Sequence, residues 1–137
     1  MPAPSTATFS RLADLIAIPD ADSRPTKTIT EVFTGKELAT IPVGTAADAL
    51  AAIARVRTAQ AAWAKRPVSE RAEIFHRYRD LVLAHRDELM DMAQAETGKS
   101  RAAALEEVLD ISMTSRHYAR TAAKLLAPKK VTGMLPE

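Results

Sequence analysis

The chain has 137 residues, of which 47% are apolar and 26% charged, and a net charge of +2, the profile of one ordinary globular domain. It contains no cysteine, which excludes disulfides, thiolate metal sites and thiol nucleophiles within it. No apolar run is long enough to cross a bilayer, and Asp14 interrupts a first apolar stretch that has no basic residue before Arg11, so no signal peptide is expected at the N-terminus and a cytoplasmic location is the default expectation.

Glycine and aromatic residues are scarce and alanine is abundant, a balance that favours helix. Residues 1–8 are rich in Pro, Ala, Ser and Thr and read as a frayed end. Phe9, Leu12, Leu15 and Ile16 recur at helical spacing before Pro19, predicting a short amphipathic helix that must dock on something to persist. Residues 20–25 form a polar linker. The period then changes to two: Ile29 and Glu31 face one way, and Thr28, Thr30 and Val32 the other. Thr34-Gly35-Lys36-Glu37 reads as a turn, and residues 38–43 as the return strand of a hairpin, with Pro42 marking an edge or an end.

Thr45 followed by Asp48 has capping-box spacing and opens a second helix. Its apolar positions are Ala49, Ile53, Val56 and Trp63, and it must end by Arg66 because Pro67 follows. Ser69 is the next candidate N-cap. Ile74, Tyr78, Leu81, Val82 and His85 share a face. Asp87 restarts the chain as a helix buried through Leu89, Met92 and Ala93, with Gly98 as its C-terminal stop. Residues 100–126 form the longest helix, with Leu105, Val108, Leu109, Ser112, Met113, Ala119, Ala122, Ala123 and Leu126 on its inner side. The expected layout is one incomplete domain, mainly α with a single N-terminal β-hairpin: an arm with a short helix (1–24), the hairpin (25–44), helices (45–127) and a tail (128–137).

Charge is unevenly placed. Residues 67–110 hold 6 basic and 10 acidic side chains, a net of −4, and residues 111–136 hold 5 basic and none acidic, a net of +5. Basic residues near a helix C-terminus complement the helix dipole. Arg116, Arg120 and Lys124 recur every four residues as a basic stripe, but no aromatics interleave with them, so nucleic acid is not the expected partner. His76, His85 and His117 have no ligand spacing for zinc, and His85 reads as a packed or helix-end histidine. Glu106, Glu107 and Asp110 cluster as a solvated acidic face rather than an acid/base pair. Gly98-Lys99-Ser100 lacks the earlier glycine and the preceding strand of a phosphate loop. No catalytic residue follows from these features.

Several short pieces, in order, carry a resemblance: Thr34-Gly35-Lys36-Glu37, Val43-Gly44-Thr45-Ala46 with its alanine-rich helix to Trp63, Pro67-Val68-Ser69-Glu70-Arg71, Glu96-Thr97-Gly98-Lys99, Glu107-Val108 and Tyr118-Ala119. Over residues 28–126 the chain is similar to the N-terminal part of the aldehyde dehydrogenase superfamily, most of all its succinate-semialdehyde branch. The turn before Thr34 lacks the family's usual Asn-Pro, and the helix before Pro19 is an extension many members lack. The resemblance implies an α/β fold in which this segment wraps a Rossmann-like cofactor domain. It implies an enzyme in which a cysteine attacks the aldehyde, hydride passes to NAD or NADP and a glutamate activates water. None of the motifs that carry those residues is present here, so the chain is expected to bind no cofactor alone and to be inactive alone, whether as a fragment or as a truncated product. Arg71 is expected to reach a carboxylate. Glu96 and a main-chain carbonyl near Thr30 are expected to hold a monovalent cation once the missing part is present. The expected partners are the remainder of the dehydrogenase, or a second copy through exposed apolar faces, with no membrane. The alternative reading is a free-standing helical module whose Arg116, Arg120 and Lys124 stripe docks an acidic partner or nucleic acid, through contacts that weaken with salt.

Overall fold

The computed structural model describes residues 4–131, so the expectations for the first three residues and for most of the tail fall outside the described residues. The order is α1 (Thr6–Ala13), a short 3₁₀ turn (Ala21–Ser23), β1 (Thr26–Thr30), β2 (Glu37–Pro42), α2 (Ala46–Lys65), α3 (Val68–Ala84), α4 (Arg86–Thr97) and α5 (Arg101–Leu125). The architecture is mainly helical with one antiparallel hairpin, as the periodicities predict.

The start of α1 is earlier than expected. The Ser5 side chain accepts the Thr8 N–H at 3.1 Å, so residues read as frayed are capped and helical. The helix also ends earlier, at Ala13, well before Pro19. The polar linker contains the 3₁₀ turn, and β1 begins two residues before Thr28.

In the hairpin, Thr26 lies opposite Pro42 and Ile29 opposite Ala39, with an irregularity before Thr30 pairs with Glu37. Gly35 takes φ +68° in the connecting loop, a region open to glycine at little cost. Thr45 and Asp48 form the reciprocal capping box at the start of α2. Pro67, not Ser69, is the N-cap of α3; its carbonyl accepts the Arg71 N–H at 3.2 Å, so Ser69 falls inside the first turn. His85 stands between α3 and α4, closing one and opening the other.

The core is thin and lies where α3, α4 and α5 meet. Val82, Met90, Ala104 and Val108 are buried there, with Ala93 packed against them. Burying Val82, Met90 and Val108 contributes about 1.5–3 kcal/mol each. Ala104, Ser112 and Ser115 are small and buried on α5, which lets its neighbours come close. The Ser112 hydroxyl donates to the Val108 carbonyl at 2.9 Å, so its burial leaves that hydroxyl satisfied.

Three of the expected inner faces differ. On α5 the buried line runs through Ala104, Val108, Ser112 and Ser115, while Leu105, Leu109 and Met113 lie exposed on the adjoining side. On α2 no residue is buried, and Ile53 is 56% exposed. Both helices carry more apolar surface than this chain covers. On α4 the buried residues are Met90, Gln94 and Ala95, whereas Leu89 is exposed, a rotation of the inner face by about one residue.

Gly98 ends α4 with φ +73°, as predicted, and it has a second role. A Cβ there would sit 3.1 Å from Val32 Cγ1 and 3.6 Å from Phe33 Cζ. At Gly35 a Cβ would meet nothing within 4 Å. Gly35→Ala is therefore expected to cost about 1 kcal/mol from backbone conformation alone. Gly98→Ala is expected to cost about 2–3 kcal/mol, because the hairpin must also move. Equilibrium urea unfolding of the two variants reads the difference directly.

Candidate functional site

A cavity of about 930 Å³ lies between α1, the hairpin and α4. Its walls are apolar: Phe9, Leu12 and Ile16 from the arm, Ile29 and Ile41 from the sheet, and Met92 from α4. Glu96 and Thr97 also line it. The short first helix thus docks as amphipathicity requires, roofing a sheet face that a hairpin alone could not bury.

The roof is held by Glu88. Its Oε1 accepts the Thr8 hydroxyl at 2.6 Å, and Arg11 Nη2 donates to Oε1 and Oε2 at 2.8 and 2.7 Å. His85 Nδ1 lies 3.2 Å from Oε2. The hydroxyl of buried Thr8, the Arg11 guanidinium and the His85 ring together hold the Glu88 carboxyl down at about 2, well below its ordinary 4.5. Sequence inspection missed this residue. The only local signal is Thr8 and Arg11 one helical turn apart, with an acidic residue in the first turn of a distant helix, where the dipole favours it.

Two further ties fix the frame. Arg24 Nη2 donates to Asp48 Oδ1 at 2.9 Å, joining the linker to the capping box of α2. The Thr45 hydroxyl and backbone N–H, with Arg24, keep the Asp48 carboxyl below its usual range. Arg101 in the first turn of α5 bonds Asp91, Gln94 Oε1 at 3.1 Å and Asp87 Oδ1 at 3.2 Å, bracing α5 on α4.

The expected cation residues fall in one neighbourhood. The Val32 N–H donates to the Ala95 carbonyl at 3.1 Å, which draws the loop after Thr30 onto the last turn of α4, where Glu96 is exposed. Among the described residues the Glu96 carboxylate makes no hydrogen bond or ion pair. Among the described residues no group of three or more His, Asp or Glu is placed to share a metal ion.

The other singled-out residues stay apart. His76, His85 and His117 do not converge. In the acidic cluster Glu107 pairs with Lys99, and Glu106 and Asp110 are exposed. Arg116 and Arg120 line a shallow groove on α5 with Met113, His117 and Thr121. Arg71 does not reach a carboxylate among the described residues: it lies among Trp63, Phe75 and Tyr118, with its Nε buried and without a hydrogen-bond partner. Among the described residues no helix is long and apolar enough to cross a membrane.

The described residues form a helical layer braced on a hairpin, with an apolar cavity between them. Residues 18–135 match the family model described as the aldehyde dehydrogenase family, and the chain belongs to that family. It is 62% identical over 136 residues to the Mycolicibacterium smegmatis protein named "putative succinate-semialdehyde dehydrogenase", NADP(+) type, covering 99% of this chain and 26% of that protein. It is 33% identical over 119 residues to a Deinococcus radiodurans succinate-semialdehyde dehydrogenase, also NADP(+) type, covering 85% of this chain and 25% of that one. Among solved structures, an NAD-dependent benzaldehyde dehydrogenase from Corynebacterium glutamicum superposes with a TM-score of 0.72 at 24% identity, over 85% of this chain and 26% of its own, which supports the fold. The chain spans about a quarter of the length of these relatives, and the part it matches is their N-terminal part.

Glu88 also gives the arm a defined acid response. A carboxyl whose folded value lies below its ordinary one contributes stability above the ordinary value and loses it as pH falls towards the folded one. Docking of α1 is thus expected to hold at neutral pH and to fail as pH falls from 4.5 towards about 2. The Thr8 and Arg11 NMR resonances should titrate near the lower value, and Glu88→Gln should abolish that titration. A midpoint at the ordinary glutamate value would show that the contact does not hold in solution.

Proposed function

We propose that this chain is the N-terminal scaffold of an NADP-dependent succinate-semialdehyde dehydrogenase, an enzyme that oxidises an aldehyde to a carboxylic acid. The observation that carries the reading is the 62% identity across 99% of the chain to a relative named for that substrate and cofactor. The scaffold supplies no chemistry of its own: its 137 residues contain no thiol to attack an aldehyde. Its part is to present the apolar face of α2 to the cofactor domain that the family resemblance implies. The remainder of the dehydrogenase is its main partner, and the cytoplasm its compartment.

Within that enzyme Glu96 supplies a carboxylate, and the β1 end near Thr30 a main-chain carbonyl, to a monovalent cation. The chemistry fits: both are hard oxygen donors, the hydrogen bond from Val32 to Ala95 holds the two segments side by side, and the carboxylate lies at the free-carbonyl end of a helix. Without the ion, Glu96 is a solvated glutamate in a last turn, where the helix dipole slightly disfavours it.

Two experiments test this. The chain is mixed with succinate semialdehyde and NADP, alone and together with the separately expressed remainder of the Mycolicibacterium smegmatis relative. No NADPH is expected from the chain alone, and NADPH formation from the mixture; a mixture as silent as its parts would sink the scaffold reading. In the reassembled enzyme the thermal midpoint should rise with potassium, and Glu96→Gln should remove that dependence. An unchanged dependence would leave Glu96 as a surface residue only.

A further inference from the structure

The outer side of α5 has a pattern that the family reading does not use. Leu109 is 43% exposed and Met113 70% exposed, and a groove of about 470 Å³ runs beside Met113 between Arg116, His117 and Arg120. Charge along this face changes sign at Met113. Glu106 and Asp110 precede it, and Arg116, His117 and Arg120 follow it. Among the described residues Glu106, Asp110, Arg116 and Arg120 form no ion pair, although Lys99, just before the helix, and Arg101 in its first turn are both paired.

We infer that α5 pairs antiparallel with α5 of a second copy, about a two-fold axis at Met113. The spacing makes the face its own complement. Glu106 and Arg120 each lie seven residues from Met113, on opposite sides of it. At 100° per residue both project within about 20° of the Met113 direction. The two-fold operation therefore sets Glu106 against the partner's Arg120, and the partner's Glu106 against Arg120. On the flank, Asp110 meets the partner's His117, and Leu109 packs on the aliphatic stem of the partner's Arg116. Met113 meets its own copy at the centre, where a flexible thioether fills an irregular gap. An isologous contact of this kind closes at two copies and leaves no free repeat. A parallel pairing would set like charges together and is disfavoured. One helix pair is a small interface, so the dimer forms in the micromolar range and weakens as salt rises.

The absence of cysteine makes the geometry directly testable. Met113→Cys places the sole thiol on the axis, and Thr114→Cys places it off the face on the next residue. Mild oxidation of the full chain is expected to cross-link the first into a covalent dimer much faster than the second. Equal cross-linking, or none, overturns the axis. Sedimentation equilibrium tests the charges. Glu106→Arg and Arg120→Glu are each expected to weaken the dimer by about tenfold, since each removes two pairs, while the double exchange restores it. Both sites are exposed, and circular dichroism checks that each variant remains helical. A monomer at every concentration, or single exchanges that leave the dimer constant unchanged in helical protein, overturns the proposal.

Discussion

The backbone turn at Gly98 is the constraint on which the rest depends. With φ at +73°, a value that costs an L-residue about 1–2 kcal/mol, α4 stops and α5 can start three residues later. The same turn has no side chain, and the hairpin loop uses that space: Val32 approaches it and donates its N–H to the carbonyl of buried Ala95. One residue therefore sets the angle between two helices and the place where the sheet meets them. Ser100 then caps α5, accepting the Ala103 N–H at 3.2 Å, and Arg101 ties the new helix back to the one just ended.

Side-chain ties over long sequence separations do the remaining positioning, because the apolar core is too thin to do it alone. Glu88 holds the arm that roofs the cavity. Arg24 and Asp48 lock the linker to the head of α2. Each tie uses a carboxylate that other donors have already fixed: Thr8 and His85 in one case, the Thr45 capping box in the other. An isolated surface pair contributes little. A carboxylate with several converging donors loses less side-chain entropy per bond and so holds its geometry better.

What was legible in the sequence follows from this division. Caps and breaks are local, and they could be read: Thr45 with Asp48, the stop before Pro67, the turn at Gly35 and the end at Gly98. Ser5 went unread because its partner, the Thr8 amide, lies in a stretch whose composition suggested fraying. The faces were legible only in part. Periodicity finds an apolar stripe but not what covers it. On α5 two adjoining stripes satisfy the same rule, and packing against α3 and α4 selects the one with the smaller residues. The Glu88 contacts link positions about eighty residues apart, a separation no local pattern encodes. The Glu96 and Thr30 neighbourhood was reached only through family resemblance; the structure adds the Val32 to Ala95 bond that draws the two segments together.

The uncovered surfaces are of two kinds, and the difference bears on what each can bind. Along α2 the exposed stripe is apolar, and its one acidic residue, Asp48, is already engaged with Thr45 and Arg24. The arginines beyond it have no acidic counterpart on the same helix. Such a face cannot complement itself and needs a different surface, as the interior of a longer relative would provide. The outer side of α5 holds both signs of charge, arranged about Met113, so a second copy supplies what the first lacks. Similar apolar exposure therefore leads to different partners, and charge order along the helix, rather than the amount of apolar surface, decides between them.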